Sequence, residues 1–156
     1  MLKISKRFVG NVYIGANVKQ RAQLGENYLE GTEVVAVTGG GCKQIGVVAQ
    51  ILKDHGATLR EFRYDLNCLA EISRAIRQAD ILLDGVQKGG EMEEASASNP
   101  RLIVAECDCH DPFSAMSAVA RISMALAARE RTGHGQRLIA SDSLDYWRQL
   151  NRFRRE

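Results

Sequence analysis

Two stretches of this chain combine residue types and spacing that could do chemistry. Gly39, Gly40 and Gly41 follow a short apolar run, with Lys43 just beyond them. Consecutive glycines there would let a phosphate or pyrophosphate approach backbone amides at the start of a helix, with the lysine as counter-charge. They would equally make a tight turn with no ligand, and both readings stay open. The spacing matches neither a dinucleotide fingerprint nor a P-loop, because the glycines are adjacent and Lys43 is followed by Gln44 rather than Ser or Thr. The second stretch is Cys107-Asp108-Cys109-His110, followed by Asp111. A structural zinc site wants a second ligand pair at a recognisable spacing, and His55 and His134 stand alone, so no metal is expected.

The elements that must position these residues follow from periodicity. Asp111-Pro112 is a helix start: the carboxylate can accept from amides of the first turn, and Pro112 has a helix-ready φ and no amide to waste. A long helix should run from there, with Phe113, Met116, Val119, Ala120, Ile122 and Leu126 on its apolar face. Arg121, Arg129, Glu130 and Arg131 are expected to reach water, and Gly133 to end the helix.

Upstream, apolar runs alternate with amphipathic stretches. Val34 to Val37 reads as a strand, and Ile45, Val48 and Leu52 as one face of a helix. Thr58 to Phe62 is the second strand, Asn67 to Gln78 a helix, and Ile81 to Leu83 the third strand. A short helix is expected within Gln87 to Ser98, and Leu102 to Ala105 is the fourth strand. This alternation predicts an α/β, Rossmann-like three-layer domain: a mainly parallel sheet, right-handed crossovers and helices on both faces. Ligand loops in such a sheet lie beyond the carboxyl ends of the strands: Thr38 to Lys43, Arg63 to Asn67, Asp84 to Gly90 and Glu106 to Asp111.

Length and charge set bounds. A chain of 156 residues with 45% hydrophobic content suits one domain. It divides into an N-terminal extension (1–32), the Rossmann-like core (33–140), and a C-terminal helix with a basic tail (141–156). A net charge of +2, with no basic groove interleaved with aromatics, gives no reason to expect nucleic acid or membrane as partner. Residues 1–7 lack the apolar core of a signal peptide, so a cytoplasmic location with reduced thiols is expected. Trp147 and Phe153 near the end suggest self-association or a partner protein.

Several segments, in order, resemble family III CoA-transferases, the group that includes formyl-CoA and carnitine CoA-transferases and methylacyl-CoA racemase. They are Val34 to Arg63, Asp65-Leu66, Arg77 to Gly85, Asn99 to Ile103, and above all Ala128-Arg129-Glu130-Arg131-Thr132-Gly133-His134-Gly135-Gln136, which is very similar to the family's helix-ending motif. The resemblance implies a Rossmann-like domain related to enzymes that handle acyl-CoA thioesters. It implies CoA or acyl-CoA as ligand, with no other cofactor required, near Gly39 to Gly41, Lys43, Lys88 and Gly89. The family's catalytic aspartate carries the acyl group. Aligned without a gap, Asp111 falls on the aspartate that opens the later helix; with a small gap, His110-Asp111 falls on the catalytic region, as nucleophile and proton-transfer pair. The chain reads as a shortened relative whose transferase activity is impaired or depends on a partner chain. The alternatives are a non-catalytic oligomerisation or partner-binding scaffold and, third, a nicotinamide dinucleotide-binding protein.

Overall fold

The computed structural model describes residues 29–39, 44–87, 89–108 and 112–141. Five strands and four helices alternate along them. They are β1 (Glu33–Thr38), α1 (Ile45–Asp54), β2 (Thr58–Arg63), α2 (Leu69–Gln78, entered through a 3-10 turn at Leu66–Cys68) and β3 (Ile81–Asp84). Then come α3 (Glu91–Ala97), β4 (Ile103–Asp108), α4 (Pro112–Thr132) and β5 (Arg137–Ser141). The sheet is parallel throughout, in the order β2-β1-β3-β4-β5. The α/β, Rossmann-like three-layer character expected from periodicity is what the chain adopts. No helix among the described residues is long and apolar enough to cross a membrane.

The continuous apolar runs exist because the central strands are covered on both faces. Val34 and Ala36 of β1 join Ile81, Leu83, Ile103 and Ala105 on one face, under α1 and α4. Val35, Val37, Leu82 and Val104 point to the other, under α2 and α3. At the edge, β2 exposes Thr58, Arg60, Glu61 and Arg63 and keeps only Leu59 and Phe62 partly buried. Charges on that strand discourage pairing with a stray chain. The Arg60 guanidinium lies 5.2 Å from the centre of the Phe62 ring.

Four expectations need correction. Met116, expected on the apolar face of the long helix, is 60% exposed. Strand β4 continues through Glu106 and Cys107 to Asp108, so Glu106 is not a loop residue. The pairing of Glu106 with Ile139 and of Cys107 with Ala140 extends the ladder beyond the apolar run. Arg129 does not reach water: it is 5% exposed, held among the amino ends of the strands.

The crossovers, finally, do not all share one hand. The chain moves from β1 outward to β2 through α1, then back across the sheet to β3 and β4 through α2 and α3 on the opposite face. Those three connections have the same hand. The step from β4 to β5 continues in the direction of β3 to β4, yet α4 packs on the face of α1. That step therefore has the opposite hand to the other three, against the strong preference for right-handed units. Packing against α1 and contacts at the end of α4 hold it there: Gly135 N–H donates to Pro100 O (2.8 Å), and Arg129 Nη1 donates to Arg101 O (3.1 Å).

Candidate functional site

The carboxyl end of the sheet is where the loops converge. β1 and β3 are neighbours, and their connections depart in opposite directions, which makes their carboxyl ends the topological switch point. Gly39 closes β1 with φ of +125°, a conformation that L side chains rarely adopt. Immediately beside it, Gly85 N–H donates to Val37 O at 2.9 Å. A Cβ on Gly85 would sit 2.8 Å from Val37 O and 2.9 Å from Ile45 Cδ1. Glycine at 85 thus lets the loop after β3 lie directly against the exit of β1 and the start of α1.

Asp84, the last residue of β3, organises that loop. It is 6% exposed, and its Oδ1 accepts from the backbone N–H of Val86 (3.0 Å) and of Gln87 (2.8 Å). This is the local side-chain-to-backbone turn that aspartate forms readily, and it holds Gln87 at φ of +52°. The position a Cβ would take on Gly89 lies 3.5 Å from Glu93 Oε2, so the loop ends against the first turn of α3.

One strand further along, on the face of α2 and α3, a cleft of about 250 Å³ opens. Leu82, Asp84, Glu106 and Arg137 come from the strands, and Met92, Glu93 and Ser96 from α3, with Gln87 and Gly89 at the rim. Its presence follows from the crossover of the opposite hand. Because α4 lies on the other face, no described helix after α3 covers this face of β4 and β5, so charged side chains there can meet water. Glu106 and Arg137 form an ion pair across β4 and β5, with side-chain exposures of 23% and 49%. With Asp84 and Glu93 the described residues of the cleft hold more carboxylate than cation. Among the described residues, no group of three or more His, Cys, Asp or Glu is arranged to hold a metal ion.

No protein-family model matches this chain, and no curated protein does.

Of the residues singled out from sequence, Gly39 sits at the switch point and Gly89 on the rim of the cleft. Gly40, Gly41, Lys43, Lys88, His110 and Asp111 lie outside the described residues, as do most of the N-terminal extension and the C-terminal helix. Cys107 is buried in the core under α4, its thiol 3.5 Å from Ala105 O. Sequence reasoning gave no role to Arg137, Glu93 or Ser96, and took Glu106 only as the first residue of a ligand loop. A usable signal was present for Glu106 alone: a carboxylate on the same strand face as Val104, at the carboxyl end of an otherwise apolar run.

Residues from three of the resembling segments meet at the other end of the sheet. Arg129 Nη1 pairs with Asp80 Oδ1 at 3.1 Å, while Asp80 Oδ2 accepts from Glu33 N–H at 2.8 Å. Asn99 Nδ2 donates to Ile76 O (3.1 Å) and Ala79 O (2.9 Å), satisfying carbonyls left over at the end of α2. A Cβ on Gly135 would lie 1.9 Å from Leu102 O. These residues hold α2, α4 and the amino ends of three strands together, far from the cleft.

Proposed function

We propose that this chain is a family III CoA-transferase-like domain that binds CoA or an acyl-CoA at the carboxyl ends of β1 and β3, with transfer chemistry impaired or dependent on another chain. The observation that carries the reading is the mutual contact of the resembling segments. Asp80, Asn99 to Leu102, Arg129 and Gly135 come from three stretches of the resemblance and touch one another. On the ligand side, the switch point beside Gly39 is where parallel sheets of this order receive phosphates.

Titration calorimetry of the full chain with CoA, acetyl-CoA and NAD tests it. Saturable CoA binding, weakened about tenfold by Gly40→Val or Gly41→Val through loss of close backbone approach, is the expected result. It would justify assaying transfer with Asp111→Ala and His110→Ala. Heat from NAD alone would replace the reading with dinucleotide binding, and no binding of CoA or acetyl-CoA would overturn it.

A partner-binding scaffold is the second reading, and the electrostatics of the cleft favour it. Among the described residues, three carboxylates, from Asp84, Glu93 and Glu106, against the one guanidinium of Arg137 form a poor environment for a polyphosphate.

A further inference from the structure

The flank of α4 that faces away from α1 carries a second depression, of about 540 Å³, between the helix and β5. Met124, Ala128 and Leu138 make its floor, and Arg121 and Arg131 stand along it, whereas the Arg137 side chain turns to Glu106 on the other face of the sheet. Met124 is 60% exposed, an unusual position for a long apolar side chain in the middle of a helix. The sheet ends at β5, so no further described strand or helix closes this side. From Arg121 to Arg131 the groove runs about 15 Å along the helix, the length of roughly three helical turns.

We propose that this groove docks an acidic amphipathic helical segment of a partner protein, its apolar side chains on Met124, Ala128 and Leu138 and its carboxylates toward the arginines. Charge selects that occupant. A second copy of the groove would bring arginine against arginine. Residues 1–28 hold five Lys and Arg against one Glu and suit the groove poorly, and residues 142–156, with four Arg against three acids, bring no net negative charge to it. The acidic helix α3 already buries Met92 and Ala95 in its own core, leaving no apolar face to offer from another copy. An acidic amphipathic helix satisfies both the floor and its flanking charges, which is the helix-in-groove mode of recognition, and methionine adapts its shape to such a partner. The inference is independent of CoA binding, since α4 and β5 form this surface whether or not the switch point holds a ligand.

The test uses the full chain with its methionines labelled at the methyl carbon, Met1, Met92, Met116 and Met124 being the four. The probe is a synthetic 14-residue peptide with Leu at helical spacing on one face and Glu on the other; a scrambled peptide of the same composition is the control. The Met124 methyl signal should shift saturably with the amphipathic peptide. Met92, buried on the opposite face of the sheet, should stay in place. Arg131→Glu should weaken binding about tenfold and Arg131→Lys only slightly, and added salt should weaken it as well. An unmoved Met124, or an equal response to the scrambled peptide, overturns the proposal. So does a Met124 shift that tracks protein concentration without peptide, which would assign the groove to a second copy. A shift caused by Trp147→Ala alone would assign it to the chain's own end and overturn it too.

Discussion

Arg129 and Asp80 are 49 residues apart in sequence and meet at 3.1 Å beneath the amino end of the sheet. Their environments are unequal. The arginine side chain is 6% exposed and the aspartate 31%, so removing either partner strands a different kind of group. Asp80→Ala leaves a guanidinium charge buried against Arg101 O and should lower stability by about 3 kcal/mol. Arg129→Met leaves a carboxylate that water can reach and that still holds Glu33 N–H, and should lower it by about half as much. Urea denaturation of the two variants checks the order; equal losses would contradict the asymmetry.

The glycines separate by what surrounds them. Gly135→Ala drives a Cβ into Leu102 O and should unfold the chain or lower stability by more than about 3 kcal/mol, because the obstacle is backbone. Gly133→Ala meets open space but keeps φ of +78°, which predicts a loss near 1 kcal/mol. Gly46, inside α1 with nothing near it, should tolerate alanine with a gain of about 0.5–1 kcal/mol. Thermal melts of the three variants should give that ranking.

Ser73 is fully buried on α2, and its hydroxyl has no hydrogen-bond partner among the described residues. Ser73→Ala removes a desolvated polar group and a single atom of volume, so it should raise stability by about 1 kcal/mol. A drop in the midpoint of chemical unfolding would show that the hydroxyl is bonded in solution.

Asp84 acts through geometry, accepting two backbone N–H groups with one oxygen. Asp84→Asn keeps an acceptor in place and should cost well under 1 kcal/mol. Asp84→Ala frees both amides and should cost about 2 kcal/mol, with faster amide exchange at Val86 and Gln87. If both variants behave alike, the turn is held by something other than this carboxylate.

The pair of Glu106 and Arg137 lines the cleft without holding the fold. With half of the arginine side chain exposed, a double-mutant cycle on Glu106→Gln and Arg137→Gln should return a coupling of at most about 1 kcal/mol, falling as salt is added. A larger, salt-insensitive coupling would mean that the cleft is closed to water in solution.

The sequence by itself determined the elements and their order. Runs such as Val34 to Val37 and Ile81 to Leu83 are apolar without alternation because a parallel strand is covered on both faces, and that demand is written residue by residue. The helix from Pro112 was legible for a similar reason, since proline and the three- and four-residue spacing act locally. Periodicity says that a helix has a buried side but not which face of the sheet receives it. Only the tertiary structure placed α4 beside α1, gave the last crossover its opposite hand, and so left Glu106 and Arg137 facing an uncovered cleft. The same limit explains Arg129. Followed directly by the exposed Glu130 and Arg131, its type promised exposure, and only the arrival of Asp80 from a distant turn made burial affordable. Local rules act through neighbours in sequence, whereas a buried charge needs a partner that folding alone supplies.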